Sequence, residues 1–309
     1  MQSVATITEG YRQGVGFLYD LEKVQALRKF FGGLRQDVCK IFMDGNNTTD
    51  IAEILIALDK IPDDASFIPY RGRMTNGSSR EQLYMTVKPT PRQLAKLQYY
   101  HVIGTLNLCL FFDLHRNNLL CFNTDGNRTH YERRGDPTDS LNKSVTGYVF
   151  RLVALLRHFG LDTLTVQTGN GYHTWVRFTE PIDNAELQAF AETVTKNIDR
   201  LVLTESIIET GKTDRIMLEG RIRTVTNVIH PLPSIMGEQY EQLNIENNSI
   251  RLPLTVHCNT SEFTGFIENG YFLPEKESLD RLKNYKSATV EQFNKAKGEA
   301  EVWLKKELQ

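Results

Sequence analysis

The sequence predicts an α+β protein, in which a core of strands and helices lies between two helical extensions. Three observations support this prediction. Apolar residues recur at helical spacing over residues 19–58, strand-like runs begin at residue 83, and a polar helical pattern covers residues 278–308. No internal repeat or low-complexity tract is found, so the strands and helices of the centre are expected to form one core.

Composition and charge narrow the class of protein. The chain has 309 residues, of which 40% are hydrophobic and 24% charged, as in ordinary globular proteins. Its formal net charge is −2, so no global positive field attracts polyanions, and any contact with nucleic acid must come from a local patch. Neither a secretory leader nor an apolar run of about 18 residues is present, so we expect a cytoplasmic protein that does not contact a membrane.

The four cysteines lie far apart and form no Cys-x-x-Cys pair, which argues against a zinc ribbon and against a disulfide framework. They are Cys39, Cys109, Cys121 and Cys258. We therefore expect reduced, mostly buried thiols and no zinc.

The first region, residues 1–80, is predicted to be helical. Val24, Leu27 and Phe31 keep helical spacing, and a second apolar series starts after a cap-like segment at residues 48–50. The turn-rich residues 72–79 end this region. An α+β core is predicted over residues 81–240, and a C-terminal region ending in a helix over residues 241–309.

Several elements are expected within the core. Strands are predicted at residues 83–87, 105–114, 164–168 and 172–178, helices at 148–159 and from Asn184 to about Leu201, and short strand-like stretches at Ile207, 215–218 and 221–225. Residues 123–143 are predicted to form a polar loop. A glycine-bearing turn joins the strands at 164–168 and 172–178 as a β-hairpin.

Asp113 lies at the end of the apolar strand predicted at residues 105–114, and His115 comes directly after that strand. Within a strand both side chains project to one face, and two such groups can hold one divalent ion. The alternative is that Asp113 caps a turn and His115 is a solvated loop residue.

The second candidate is the hairpin itself. Its turn can approach a phosphate closely through main-chain N–H groups, and on the strand that follows, His173, Trp175 and Arg177 share one face. A structural hairpin is the alternative, with Trp175 packing the sheet. The turn residues are Thr168, Gly169, Asn170 and Gly171.

The third candidate is the basic segment at residues 213–227, which follows Glu205 and Glu209. Arg221 and Arg223 lie on one face of the predicted strand, at a spacing that could grip successive phosphates, whereas a charge-laced surface strand is the alternative.

In this order, the segments resemble the archaeo-eukaryotic primase superfamily, in particular the primase-polymerases of plasmids, phages and prokaryotic mobile elements. The resemblance covers roughly residues 65–230. Residues 83–89 look like the strand before the first acidic motif, and 110–115 stand in place of its hydrophobic-Asp-hydrophobic-Asp/Glu pattern. Residues 165–175 are similar to the Ser-Gly-x-Gly-x-His segment and provide the closest match. Residues 215–227 resemble the family's Arg-rich run, with a short insertion and without its glycine.

The resemblance implies an RRM-like catalytic core with an antiparallel or mixed sheet, and template-directed nucleotidyl transfer from nucleoside triphosphates as a DNA primase or polymerase. It implies that Asp113, His115 and Glu209 hold the catalytic metal, with Glu205 and Asp214 as rivals for the third position. It also assigns the nucleotide phosphates to His173. The other residues expected at the nucleotide are Thr168, Gly169, Asn170, Gly171, Arg215, Arg221 and Arg223.

His115 departs from the family pattern, because it replaces an acid. An imidazole is a poor ligand for Mg²⁺ and suits Mn²⁺ better, so of these two cofactors Mn²⁺ is expected to be preferred. The expected partners are a single-stranded DNA template, nucleoside triphosphates and a separate replication helicase or mobile-element protein. The alternative function is a catalytically degenerate module that binds nucleotide or single-stranded nucleic acid. A structural interaction protein that acts through its helical ends is the third hypothesis.

Overall fold

The computed structural model of the chain describes residues 15–44, 66–73, 79–125, 140–168, 171–210, 229–234, 248–256 and 263–305. These residues form an α+β protein, as the sequence predicts. Their strands form two sheets. No helix in the described part of the chain is long and apolar enough to cross a membrane.

The chain divides into two compact units. Unit 1 comprises Met1–Phe112, Ser249–Phe266 and Phe272–Asn284, and unit 2 comprises Asp113–Asn248, Ile267–Tyr271 and Tyr285–Gln309. The predicted division of the chain near residues 80 and 240 stays a prediction.

Unit 1 contains a five-stranded sheet of order β2-β3-β1-β4-β9. Antiparallel pairing joins each strand of this sheet to its neighbours. The strands are β1 (Arg35–Asp44), β2 (Ser66–Arg73), β3 (Ser79–Val87), β4 (Asn107–Phe111) and β9 (Ser249–Arg251). The helices are α1 (Val15–Phe31), α2 (Pro91–Val102) and α5 (Glu275–Lys283).

His101 lies at the centre of unit 1 and is completely buried. Its Nε2 lies 3.0 Å from the carbonyl of Pro253, and its Nδ1 accepts a hydrogen bond of 3.1 Å from the main chain of Leu108. Because one partner can only accept and the other can only donate, the imidazole is neutral with its proton on Nε2. Burial lowers the pKa of His101 to about 4.

Unit 2 is built around a six-stranded sheet of order β11-β10-β6-β7-β5-β8. Its strands are β5 (Arg116–Asp125), β6 (Leu164–Thr168), β7 (Gly171–Asp183), β8 (Ile229–Leu232), β10 (Phe266–Glu268) and β11 (Tyr271–Phe272). Its helices are α3 (Ser140–His158), α4 (Asn184–Thr210) and α6 (Val290–Lys305).

One face of this sheet forms the core of unit 2 together with the three helices. Phe122, Val176 and Phe178 project from the sheet into this core, where Leu152 of α3 and Phe190 of α4 also lie. All five side chains are completely buried. Since neighbouring residues of a strand point to opposite faces, His173 and Trp175 belong to the other face of β7.

Three elements differ from the sequence prediction. The predicted helical region 1–80 contains helix α1, but strands β1 and β2 also lie in it. The second apolar series at residues 51–58 lies outside the described residues. Helix α2 was not predicted, although Thr90 and Gln93 form a capping box at its start. Ile207 is helical rather than strand-like, because α4 continues to Thr210 without an interrupting glycine or proline.

Strand β5 was also missed, and its absence affected the choice of site residues. The predicted polar loop began at Asn123, and no element was predicted for residues 116–122, yet Leu119, Leu120, Cys121 and Phe122 are all completely buried. Because neighbouring residues of a strand point to opposite faces, the burial of all four shows that both faces of β5 are covered here, so the strand shows no apolar–polar alternation. The C-terminal helix is likewise divided into α5 and α6.

The cysteine prediction is confirmed for the three described residues. Cys39, Cys109 and Cys121 are buried thiols that form no disulfide with one another, while Cys258 lies outside the described residues. Burial, together with the neighbouring Cys109, raises the pKa of the Cys39 thiol well above its usual range, so this thiol is unreactive.

Candidate functional site

The predicted hairpin is present. β6 and β7 pair antiparallel from Leu164 opposite Trp175 to Thr168 opposite Gly171, and the turn residues Gly169 and Asn170 lie outside the described residues. The hairpin places His173 two residues after the turn, on the face of the sheet that does not pack against the helical core.

His173 belongs to a row of polar residues on three neighbouring strands. It pairs with Asn123 of β5, and Asn123 pairs in turn with His230 of β8. Residues directly opposite each other in antiparallel strands share a face, and neighbouring strands lie about 4.8 Å apart. The two histidines therefore flank Asn123, with their Cα atoms roughly 10 Å apart. We call His173, Asn123 and His230 the polar row.

Exposure increases along the polar row. His173 is 9% exposed, Asn123 is partly exposed, and His230 is exposed. Asp125 pairs with Gly171 and so lies two residues beyond Asn123 on the same strand, at the hairpin end. This end of the sheet thus combines imidazole, amide and carboxylate residues near the predicted phosphate-binding turn.

Sequence reasoning missed Asn123 and His230. Asn123 was assigned to a loop, and no element was predicted at His230. The usable signal was the apolar run 119–122 followed directly by Asn-Thr-Asp, because this pattern is typical of a buried strand that ends in polar residues. Even so, only the pairing of β5 with β7 and β8 brings the three residues into one row.

Trp175 and Arg177 have packing roles on β7. Trp175 is completely buried and lies edge-on to His173, with ring centroids 6.1 Å apart. Because its ring is covered, it cannot stack on a nucleic-acid base, and the sheet-packing interpretation is the right one. Arg177 is partly exposed, and its Nη1 donates a 2.6 Å hydrogen bond to Ser287.

Asp113 lies in the turn between β4 and β5 rather than within a strand. Its Oδ1 accepts hydrogen bonds from the main-chain N–H groups of His115 at 2.9 Å and Arg116 at 3.3 Å. This is an Asx-type turn, in which the carboxylate replaces a main-chain acceptor. His115 is exposed. These hydrogen bonds match the alternative in which Asp113 caps a turn and His115 is a solvated loop residue.

Two buried asparagines hold the main chain of Asp113 in place. Asn117 Oδ1 accepts from Asp113 N, while the side-chain amides of Asn117 and Asn184 both donate to Asp113 O, each at 2.9 Å. Asn117 also donates to Asn184 Oδ1 at 2.7 Å. Asn117 and Asn184 are 1% and 5% exposed. We call these two residues the asparagine clamp.

The structure separates Asp113 from His173. Asp113 is bonded to Asn117 near the start of β5, whereas His173 pairs with Asn123 six residues further along. At about 3.3 Å per residue, the two positions are roughly 20 Å apart. Catalytic metal pairs are only about 4 Å apart, so Asp113 and His173 cannot contact the same metal pair.

The other predicted site residues are only partly described. Thr168 ends β6 and is partly exposed, and Glu209 lies in the last turn of α4, with a side chain outside the description. Among the described residues, no group of three or more His, Cys, Asp or Glu side chains could hold a metal ion. The described residues therefore do not assemble the predicted metal ligands. Four further predicted residues lie outside the described residues, namely Asp214, Arg215, Arg221 and Arg223. Glu205 lies in α4, but its side chain is not described.

No family model and no curated protein matches the chain. The polymerase domain of Mycobacterium tuberculosis Ligase D in complex with DNA is similar to it, with 11% sequence identity and a TM-score of 0.34 over 92% of this chain and 88% of that one. A TM-score of this size is too low to establish a shared fold.

Proposed function

We propose that this chain is a nucleotidyltransferase of primase-polymerase type, which binds a nucleoside triphosphate at the polar row and adds its nucleotide to a strand on a single-stranded DNA template. The observation that supports this proposal is the place of His173. The residue that the sequence resemblance assigns to the nucleotide phosphates follows the hairpin turn and stands in register with Asn123 and His230.

The polar row has the chemistry that a polyphosphate requires. Both imidazoles can donate hydrogen bonds, as can the amide of Asn123, and none of the three side chains is anionic. Phosphoryl transfer depends mainly on positioning and on neutralising the charge that develops on the phosphates. Residues anchored on paired strands provide such positioning, because the sheet fixes their spacing.

Divalent metal is part of the proposal through the sequence resemblance. Mn²⁺ or Mg²⁺, with Mn²⁺ preferred, would neutralise the triphosphate and activate the attacking hydroxyl when bound. In the described residues, Asp113 uses Oδ1 to hold its turn, and the side chain of Glu209 is not described. We therefore assign no metal-dependent step to these residues.

A second function is favoured by one feature of the polar row. Its central residue is Asn123, a neutral amide, whereas two-metal transfer needs anionic oxygens that bridge the ions. A catalytically degenerate module would keep nucleotide or single-stranded nucleic-acid binding at this row without transfer.

The test combines nucleotide incorporation with nucleotide binding. Purified protein is given a primed and an unprimed single-stranded template in Mg²⁺ or Mn²⁺, and the affinity for a fluorescent nucleoside triphosphate is measured separately. The variants are His173→Gln and Asn123→Ala. His158→Gln, a change at an exposed histidine of α3, is the matched control.

We expect incorporation by the wild-type protein, at least a tenfold loss of nucleotide affinity in both polar-row variants, and no change in the control. Binding that responds to these variants without any incorporation would establish the degenerate module. Nucleotide affinity that is the same in all three variants as in wild type would contradict both functions.

Asp113 is tested by a pair of substitutions. Asp113→Asn keeps a side-chain oxygen for the Asx-type turn but removes the charge that a metal needs, while Asp113→Ala removes both. If Asp113 is a metal ligand, both variants lose nucleotide incorporation. If Asp113 only holds the turn, Asp113→Asn stays active and Asp113→Ala is less stable than wild type.

A further inference from the structure

A second surface of unit 2 exposes two aromatic rings. Phe150 of α3 is 45% exposed, and Tyr271 of β11 is 77% exposed. Large aromatic side chains are costly to leave in water, and an exposed cluster of them marks an interaction site.

The turn between β10 and β11 lies against Phe150 and directly precedes Tyr271. Asn269 and Gly270 form this two-residue loop with φ values of 50° and 83°. Both values lie in the left-handed region that a type I′ hairpin requires and that Asn-Gly favours. A Cβ placed on Gly270 would lie 3.6 Å from the ring of Phe150, so the residue before Tyr271 is packed against that ring.

Arg157 anchors the same turn from the helix. Its Nη1 donates to Asn269 Oδ1 at 3.4 Å, and its Nη2 lies 3.8 Å from Glu268. Phe150 and Arg157 are seven residues apart, so they share one face of α3 about two turns from each other. The Arg157 side chain is 38% exposed, and its guanidinium keeps further N–H groups for a ligand. Glu268 is the opposing charge at this site.

We infer that Phe150, Tyr271 and Arg157 form a contact surface for single-stranded nucleic acid, and we call these three residues the aromatic surface. Sequence-tolerant binding of single strands combines aromatic rings on which bases stack with cations that follow the backbone. Both large exposed side chains here are rings rather than aliphatic chains, and the nearby cation is an arginine, which suits phosphate and stacked bases. The inference rests on the proposed function, since it supplies a surface for the template.

The test measures the affinity for a fluorescently labelled single-stranded oligodeoxythymidylate by anisotropy. Phe150→Leu and Tyr271→Leu keep apolar area but remove the ring, while Tyr271→Phe keeps the ring and is the matched control. Stacking contributes about 1–3 kcal/mol per base, so we expect each leucine variant to bind roughly 5- to 160-fold more weakly and Tyr271→Phe to bind within twofold of wild type. Arg157→Gln should reduce the slope of log affinity against log salt by about 0.7.

Leucine variants that bind the oligonucleotide as tightly as wild type would overturn the inference. Wild-type protein that fails to bind single-stranded DNA would also overturn it. If the wild type self-associates in sedimentation experiments, and the leucine variants lose self-association but still bind DNA, the surface belongs to an interface with a second copy of the chain instead. Nucleotide affinity is measured on the same variants. Because it should not change here, failure of this inference is distinguishable from failure of the polar row.

Discussion

The asparagine clamp predicts a large loss of stability from a single polar substitution. Asn117→Ala removes three hydrogen bonds, two to the main chain of Asp113 and one to Asn184. A hydrogen bond contributes about 1 kcal/mol net, and a buried group left without its partner costs about 1–3 kcal/mol. Asn117 is 1% exposed, so water cannot readily replace the lost bonds. We expect the free energy of unfolding of unit 2 to fall by about 3 kcal/mol.

Tryptophan fluorescence during urea unfolding provides the assay. The chain has two tryptophans, and Trp175 and Trp303 both belong to unit 2, so the signal follows that unit. Asn118→Ala is the matched control, because its side-chain oxygen accepts no hydrogen bond from the described residues. We expect the control to stay within about 1 kcal/mol of wild type. Equal stabilities of the two variants would refute the clamp.

Three further predictions concern the two units. His101→Gln should remove a pH dependence of the stability of unit 1. Unfolded His101 binds a proton near pH 6.5 and folded His101 only near pH 4, so in the wild type the free energy of unfolding falls by up to about 1.4 kcal/mol for each unit by which the pH is lowered between these values. Circular dichroism during urea unfolding should show this fall in the wild type and not in the variant. Trp175→Ala should lower the free energy of unfolding by about 3–5 kcal/mol, measured by circular dichroism during urea unfolding, because the ring is completely buried. Gly160→Ala should lower the free energy of unfolding by about 1 kcal/mol, since φ is +78° at this position, whereas Gly298→Ala within α6 should raise it by about 1 kcal/mol. Calorimetry in which the melting temperature shifts in the same direction for both variants would contradict the backbone argument.

The local part of the fold was predictable from the sequence. The hairpin of β6 and β7 joins residues only a few positions apart, and its glycine-bearing turn and strand residues all lie within one short segment. The helix α3 was predicted for the same reason, since its apolar spacing is a property of neighbouring residues. His173 was therefore identified together with the strand that presents it.

The site around His173 was not predictable in the same way. Asn123 and His173 are 50 positions apart and become neighbours only through the register of β5 against β7, which is set by the burial of residues on both faces of the sheet. A strand buried on both faces lacks the alternation that marks an exposed one, so β5 was not recognised as a strand, and only its last residues, from Asn123, fell in the predicted polar loop. Asp113, by contrast, was recognised as an acid at a strand end, but the choice between a metal ligand and a turn cap depended on its hydrogen bonds.

The sequence by itself determined the α+β class, the hairpin that presents His173 and the buried state of the described cysteines, because each follows from composition or from contacts between near neighbours. The tertiary structure decided which residues stand beside His173, which acid holds a turn, and which aromatic rings stay exposed. Those properties depend on pairing between distant segments, and the free energy that selects one register comes from side chains spread over the whole sheet.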